Sequence, residues 1–247
     1  MKDIQIRILN PEAVKEAEKM MVFCARLTQR GHAIKSMADL YELLVKPYKD
    51  TTVKNMVNLP HPTIQKFGLI NIAVVGASRR FLAQITRHQN EVKFMSASLQ
   101  YSDYSNDMDF CIPYEITEAG LEAEYLRSCK ASMEDYKHFA AMNGNDPAGY
   151  VAPQGLRNIL IISATPFQLK HMISQRVCHR NTTETKYVML KIWEALYDLS
   201  PEMFDIKVTG AGCQRKGCQE GKMCCGRPIG KKATPKDILL AEYPLIA

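Results

Sequence analysis

One segment, residues 67–75, constrains the fold of this chain more than any other. Its sequence, FGLINIAVV, is mostly apolar, so a strand formed there would suit burial on both faces. Ser78 follows as a candidate helix N-cap, because its hydroxyl can accept a hydrogen bond from a free backbone N–H of the first helical turn. The pattern therefore predicts a long buried strand that leads into a helix ending at Arg87.

Helices are expected on both sides of this strand. Hydrophobic periodicity predicts them at residues 11–27, 38–45, 117–142, 165–177 and 183–199. Thr51 is predicted to cap a further short helix. Additional strands are predicted at residues 3–9, 107–112 and 159–162. With no internal repeat or linker, this order predicts one α+β domain over residues 1–247, with a mixed or antiparallel central sheet flanked by helices.

A polar stretch, residues 86–102, follows the predicted strand and helix. It carries a positive charge, an imidazole, hydroxyls and an amide, at Arg87, His88, Ser96, Ser98 and Gln100. Such groups beside rigid elements are typical of a phosphate- or nucleotide-binding site. An arginine and a histidine at a helix end also complement the helix dipole without any ligand. The pattern by itself supports both interpretations equally.

Two further segments could contribute polar side chains to the same site. Residues 175–181, QRVCHRN, lie at the junction of two predicted helices and carry Arg176 and Arg180 four positions apart. If helical geometry continued across the junction, both guanidinium groups would point the same way. Residues 149–153 precede a predicted strand. Because the chain lacks GxGxxG, GxxxxGK[ST] and GxSxG motifs, side chains would have to build any flavin or nucleotide site.

The net charge of +6 suits phosphorylated small molecules as well as nucleic acids. The chain has no block of Lys and Arg and no RNA-binding motif, so we expect no nucleic-acid partner. We also expect no membrane span, because no apolar run reaches about 18 residues. Eight cysteines without a recognisable signal peptide favour free thiols and a cytoplasmic location.

Four of the eight cysteines crowd a Gly- and Lys-rich tail at about residues 210–247, which is predicted to be irregular. Cys213, Cys218, Cys224 and Cys225 could hold zinc tetrahedrally. Their spacing differs from the Cys-x2-Cys repeat of standard zinc sites, so free or buried thiols are favoured and no metal is assigned. A zinc-tailed nucleic-acid-binding protein stays open as an alternative of another class.

Several motifs together resemble the flavin-dependent thymidylate synthases, which methylate dUMP with FAD, reduced nicotinamide and methylenetetrahydrofolate. That family carries Arg-His-Arg and then Ser-x-Arg-Tyr, and this chain has Arg87-His88-Gln89 and Ser98-Leu99-Gln100-Tyr101. Gln84 lies three residues before the first arginine, as in the family. Arg176 and Glu184 match a second motif that leads into a long helix. The resemblance covers most of the chain and implies the family's fold.

The resemblance also implies roles for individual residues. The expected cofactor-binding residues are Thr63, Arg87, His88, Gln89, Ser96, Thr165, His171 and Arg180. The expected substrate-binding residues are Gln84, Arg87, Ser96, Ser98, Leu99, Gln100 and Arg176. Arg176 and Ser98 are the catalytic candidates, because a guanidinium beside N3 stabilises the pyrimidine anion and raises electron density at C5. The family also implies NADPH and methylenetetrahydrofolate as co-substrates, and a homotetramer with sites between subunits.

Two departures from the family pattern concern the substrate. Gln100 and Gly149 replace arginines that grip the nucleotide phosphate in the family. Each lost guanidinium removes charge-assisted bonds worth roughly 1.5–3 kcal/mol. The cations that could take over the phosphate are Arg79, Arg80, Lys93 and Arg157. Alternatively, the substrate is another pyrimidine nucleotide or a nucleoside, or the protein binds flavin or nucleotide without catalysis.

Overall fold

An antiparallel sheet lies at the centre of the computed structural model, which describes residues 1–215, 217–227 and 233–246. In these residues the sheet has four strands in the order β1-β2-β4-β3. The strands are β1 (Gln5–Ile8), β2 (Ile70–Ser78), β3 (Val92–Ser96) and β4 (Arg157–Ala164). The two central strands pair from Ile70 opposite Ala164 to Ser78 opposite Arg157. The predicted α+β class, with an antiparallel sheet flanked by helices, is confirmed.

The described residues also form α-helices. They are α1 (Pro11–Arg30), α2 (Met37–Val45), α3 (Asp50–Val57), α4 (Arg79–Ile85), α5 (Tyr114–Glu118), α6 (Glu122–Asn143), α7 (Asn145–Ala148), α8 (Pro166–Arg176), α9 (Thr183–Leu199), α10 (Ile206–Thr209), α11 (Gly212–Arg215) and α12 (Pro235–Glu242). Within the described ranges, none combines the length and the apolar character that crossing a bilayer requires.

Helix α9 is the centre of the main hydrophobic core. It contacts β1, β2, α1, α8 and α12. Its apolar side chains repeat at helical spacing, and Leu190, Trp193 and Leu196 are fully buried. The indole N–H of Trp193 donates to the Phe204 carbonyl oxygen at 2.9 Å. The apolar stripe seen in the sequence therefore belongs to the core of this chain.

The central strand β2 is less buried than predicted. Ile70, Ile72 and Val74 are fully buried beneath helices, whereas Val75 on the other face is 39% exposed. Its neighbours across the sheet on that face, Ile159 and Met95, are 50% and 73% exposed. The expectation of burial on both faces is wrong for one chain, because these helices pack on only one face of the sheet.

The polar stretch at residues 86–102 differs from the prediction in two ways. Helix α4 ends at Ile85, so Arg87 and His88 lie beyond the helix rather than in it. Strand β3 occupies Val92–Ser96, where only loop was expected. Pairing with β4 holds these residues in a strand. The five side chains alternate only weakly between apolar and polar, and so short a pattern does not specify a strand by itself.

Three other local predictions need correction. The predicted strand at residues 107–112 is wrong, since only an isolated bridge joins Phe110 to Leu156. The predicted helix at 117–142 is split into α5 and α6 at Gly120, whose φ of 67° ends the first helix. Thr51 lies inside α3 and does not cap it.

The C-terminal tail is more regular than predicted. It contains α11 and also α12, which a Thr234–Asp237 capping box starts and which packs on α9. Glu242 at the end of α12 pairs with Lys186 at 2.7 Å and also with Arg227. Residues 216, 228–232 and 247 of the predicted tail lie outside the described residues.

A second, smaller hydrophobic cluster forms apart from the main core. Its buried members are Phe110, Cys129, Met133, Tyr136, Ala148 and Leu156. Leu99 and Tyr104, from the segment after β3, pack against it. This cluster therefore anchors the part of the polar stretch that follows Ser98.

Ser78 fixes the start of α4. Its hydroxyl accepts a hydrogen bond from the Phe81 backbone N–H at 3.1 Å and donates to the Glu184 carboxylate of α9. The Ser78 backbone N–H donates to the same carboxylate at 2.7 Å, and the Cys111 thiol does so at 3.3 Å. One carboxylate thus joins β2, α4 and α9, and it sets the direction in which α4 carries Gln84.

We predict that Ser78→Ala lowers the free energy of unfolding by about 1–3 kcal/mol, because it removes a helix cap and one partner of Glu184. Urea denaturation would measure the loss. Ser36→Ala is the matched control, since Ser36 caps α2 at the surface without contacting a distant carboxylate. Equal losses in both variants would contradict the role assigned to the Glu184 contact.

Candidate functional site

Arg176, the last residue of α8, ties three segments together. Its Nε donates to Nε2 of His88 at 2.9 Å, and its Nη2 donates to the Gln84 carbonyl oxygen at 3.0 Å. Its Nη1 donates to Oδ1 of Asn181 at 3.2 Å. Because a guanidinium has donors only, Nε2 of His88 must be the acceptor and Nδ1 must carry the proton of the neutral ring.

The electrostatics of the site keep His88 neutral. Burial, with smaller contributions from the neighbouring Arg176 and His171, lowers the pKa of His88 from 6.5 to about 4. Burial also lowers the pKa of Arg176, with a contribution from Arg87. The site therefore presents cationic guanidinium groups beside a neutral imidazole.

These residues line a cavity of about 330 Å³. The lining residues are Arg87, His88, Gln89, Asn90, Gln168, His171, Gln175 and Arg176. No carboxylate is among them within the described part of the chain. A polar cavity with two arginines and no acid suits an anionic ligand that also accepts and donates hydrogen bonds.

The cavity brings together five predicted site residues and three that were missed. Arg87, His88, Gln89, His171 and Arg176 were expected from the resemblance and do lie together. The missed residues are Asn90, Gln168 and Gln175. The two glutamines share a face of α8 with His171, at spacings of three and four residues, so helical periodicity could have identified them.

Arg180 belongs to a neighbouring cavity of about 570 Å³ between the α8–α9 junction and the tail. Its Nη1 donates to the Met223 carbonyl oxygen at 2.9 Å. The expectation that Arg176 and Arg180 point the same way is wrong, because α8 ends at Arg176 and α9 begins only at Thr183. His171 lines both cavities, so the two spaces adjoin.

The tail cysteines line this larger cavity without forming a metal centre. Cys213, Cys218, Cys224 and Cys225 are present, together with Cys178. In the described residues, no group of three His, Cys, Asp or Glu side chains is arranged to hold a metal ion. The geometry gives no support to the alternative of a zinc-tailed protein.

Of the predicted cofactor residues outside the two cavities, Thr63 and Thr165 belong to the framework that surrounds them. Thr165 caps α8, accepting from the Gln168 backbone N–H, and its hydroxyl donates to Glu91 at 3.0 Å. Thr63 is exposed in a short turn, Pro62–Lys66. Within that turn Lys66 forms an ion pair with Glu91. The turn is thus held against the start of α8.

The buried side chain of Lys170 anchors the same turn. Lys170 of α8 contacts Oε1 of Gln65 at 3.2 Å and the Val57 carbonyl oxygen at 3.4 Å. Burial lowers the pKa of Lys170 from 10.5 to about 8. No carboxylate lies within ion-pair distance of Lys170 in the described residues, so neutral oxygens alone stabilise its charge.

The predicted substrate residues Ser96, Ser98, Leu99 and Gln100 lie at the end of β3 and just after it. Ser96 ends β3, and Ser98 closes a tight turn by accepting from the Gln100 backbone N–H at 3.1 Å. Leu99 packs in the second cluster, and its Cβ would lie 3.4 Å from a side chain added at Gly149. Neither cavity described above is lined by these residues, so Ser98 does not share the cavity of Arg176.

Comparison with known proteins was made at the level of sequence and of fold. A family model described as thymidylate synthase complementing protein matches residues 11–202. The flavin-dependent thymidylate synthase of Geobacter sulfurreducens is 20% identical over 215 residues, covering 86% of this chain and 90% of that protein. The flavin-dependent thymidylate synthase of Thermococcus kodakarensis is 27% identical over 184 residues, covering 70% and 74%.

Two solved structures are similar in fold. A UMP/dUMP methylase, PolB from Streptomyces cacaoi bound with 5-Br dUMP, has a TM-score of 0.66 at 14% identity and covers 84% of this chain and 96% of its own. Thymidylate synthase X from Helicobacter pylori, with FAD and dUMP, has a TM-score of 0.59 at 14% identity, covering 82% and 97%. These similarities support the fold.

We predict that His88 makes the protein less stable as the solution is acidified. Its imidazole takes up a proton near pH 6.5 in the unfolded chain but only near pH 4 in the folded one. The unfolded state therefore binds more protons in this range, and the free energy of unfolding falls as the pH drops from 6.5 toward 4. His88→Gln lacks this contribution.

Urea denaturation of both proteins at pH 7, 5.5 and 4.5 would measure the effect. The free energy of unfolding of wild type minus that of His88→Gln should decrease as the pH falls. A difference that stays constant across the series would show that His88 titrates normally.

Proposed function

Because the chain belongs to the family of thymidylate synthase complementing proteins, the flavin-dependent thymidylate synthases, we propose that it methylates a pyrimidine nucleotide at C5, converting dUMP to dTMP. It is an enzyme of this family, and FAD is its proposed cofactor. NADPH and methylenetetrahydrofolate are the proposed co-substrates. The observation that carries the proposal is the Arg176–His88–Gln84 cluster beside a cationic cavity free of carboxylates.

The residues around the cavity fit a flavin nucleotide. Arg87 can meet the negative charge of a diphosphate, and no carboxylate among the described lining residues opposes it. The amides of Gln89, Asn90 and Gln175 can pair with the hydrogen-bonding edges of a flavin or an adenine. When bound and reduced by NADPH, the flavin would supply the hydride that converts the transferred one-carbon unit into a methyl group.

Arg176 is the residue we assign to the pyrimidine ring. A guanidinium has five N–H groups, of which three are used within the protein, so two remain for a ligand. Its permanent charge beside N3 favours the deprotonated ring and raises electron density at C5, where the new bond forms. The bond to neutral His88 holds the guanidinium plane in position.

This mechanism needs no cysteine nucleophile, and the thiol of Cys111, which is buried in the main core, is unsuited to that role. Burial and the neighbouring Glu184 raise the pKa of Cys111 to about 12. Its thiol also donates a hydrogen bond to that carboxylate. Cys111 therefore stays protonated at neutral pH and acts as a structural group.

We further propose a cytoplasmic homotetramer in which a second subunit completes each site. Because Ser98 is not among the residues that line the Arg176 cavity, we propose that the two residues in each site come from different subunits. The apolar outer face of the sheet, with Val75, Met95 and Ile159 exposed, supports association between copies.

A second candidate is methylation of UMP or another pyrimidine nucleotide. Gln100 and Gly149 lack the guanidinium groups that the family pattern has at these positions. One fold neighbour is itself described as a UMP/dUMP methylase. Both observations favour a substrate preference that differs from strict dUMP use.

We predict that the purified protein binds FAD and shows an oxidised-flavin absorption band. Arg176→Ala should keep most of the FAD but lower turnover of dUMP by roughly 100-fold or more, because it removes preorganised charge at the reacting ring. Arg176→Lys should recover only part of the activity, because an ammonium lacks the planar fork. Product formation from dUMP would be measured with NADPH and methylenetetrahydrofolate present.

Arg30→Ala is the matched control, since Arg30 is exposed at the end of α1, far along the chain from the site. It should leave turnover unchanged. Near-normal turnover in Arg176→Ala would refute the role at N3. A colourless wild type that cannot be reconstituted with FAD would refute the flavin-dependent function.

We predict that Gln100→Arg raises the affinity for dUMP about tenfold or more, because a charge-assisted bond to phosphate is worth roughly 1.5–3 kcal/mol. The affinity for deoxyuridine, which has no phosphate, should stay the same. Calorimetric titration of the FAD-loaded protein would measure both. An unchanged dUMP affinity would mean that the phosphate binds away from residue 100.

A further inference from the structure

Arg79, the first residue of α4, has a half-buried guanidinium. One of its nitrogens, Nη1, is buried and has no hydrogen-bond partner in the described part of the chain. Burial lowers the pKa of Arg79, and only the Tyr104 phenol opposes this effect. Removing this N–H group from water without an acceptor costs free energy that the fold does not recover. Such a group points to an anion that is supplied from outside the chain.

The surroundings of Arg79 connect it to the segment after β3. Tyr104 packs in the second cluster together with Leu99, and its backbone N–H donates to the Tyr136 hydroxyl at 3.4 Å. Leu99 lies between Ser98 and Gln100 and comes close to Gly149. The Arg79 backbone N–H donates to the carbonyl oxygen of Leu156 in the same cluster at 3.1 Å, so Arg79 is a cation beside the cluster that holds Leu99.

The other cations considered from the sequence are less suitable. Arg157 pairs with Asp3 at 3.0 Å and with Asp109 at 2.9 Å. Lys93 is exposed on the outer face of β3, and Arg80 is exposed one residue beyond Arg79. Of these four cations, Arg79 combines a half-buried side chain with a buried Nη1 that has no acceptor in the described residues.

We propose that Arg79 binds a phosphate dianion, the phosphate of the nucleotide substrate, and thereby selects a pyrimidine monophosphate over a nucleoside. This inference rests on the proposed function and deepens it, because it names the charge that the substrate must carry. The guanidinium reaches the phosphate from the start of α4 and replaces the charge missing at Gln100 and Gly149. Ser78 and Glu184 hold α4 in place, so Arg79 is positioned before the ligand arrives.

The test compares wild type, Arg79→Met and Arg79→Lys by thermal shift and calorimetry on the FAD-loaded protein. Wild type should bind dUMP more tightly than deoxyuridine. Arg79→Met should lose about 10- to 100-fold in dUMP affinity with little change for deoxyuridine. Arg79→Lys should recover part of the preference, because it keeps the charge without the bidentate geometry. Arg80→Met, the exposed neighbour, is the control and should keep the full preference.

The stability of the ligand-free protein gives a second readout. Because Arg79 has no partner there, Arg79→Met should leave the melting temperature unchanged or raise it. A lowered melting temperature together with dissociation into smaller species would mean that Arg79 pairs with a carboxylate of another subunit, and it would overturn the proposal. An unchanged ratio of dUMP to deoxyuridine affinity in Arg79→Met would also overturn it.

Inorganic phosphate separates this inference from the proposed function. Phosphate should raise the melting temperature of wild type but not of Arg79→Met, whether or not a pyrimidine binds. If wild type binds neither FAD nor dUMP but shows this Arg79-dependent effect, the proposed function fails and the anion site stands. If wild type binds FAD and dUMP, and Arg79→Met changes neither the dUMP affinity nor the stabilisation by phosphate, the anion site fails and the proposed function stands.

Discussion

A single carboxylate, that of Glu184, organises the part of the molecule that carries the site. It receives both the backbone N–H and the hydroxyl of Ser78, and also the thiol of Cys111. Through Ser78 it fixes where β2 stops and α4 starts. Helix α4 then delivers the Gln84 carbonyl oxygen to Arg176. The geometry of the guanidinium therefore depends on a contact at the opposite end of α4.

The site is a set of cations that the fold itself does not neutralise. Arg176 is held by a neutral imidazole, a carbonyl and an amide, and Lys170 is held by neutral oxygens. Arg79 has no acceptor at its buried Nη1 among the described residues. Each arrangement costs stability, because a carboxylate would satisfy the charge better. Binding of anionic ligands to these charges would explain the cost, because proteins give up stability at sites where function requires it.

Much of the fold could be predicted from local pattern. Ser78 was identified as a helix cap, and it accepts the expected backbone hydrogen bond. Arg87, His88 and Arg176 could be singled out by their spacing, and they line one cavity, while their roles toward cofactor and substrate stay predictions. The role of Ser98 stays a prediction too, and neither cavity is lined by it. Strand β3 was missed because its five residues become a strand only through pairing with β4.

The sequence by itself determined where helices begin, which helical face is apolar and which residues carry the charges. These properties depend on residues a few positions away along the chain, so they can be recognised in the sequence directly. The tertiary structure decided which partner each charge receives. His88 lies 88 positions from Arg176, and Glu184 lies 106 positions from Ser78. No local pattern encodes contacts at such separations, and the same holds for Arg79, whose lack of an acceptor appears only after every other polar group has taken its place.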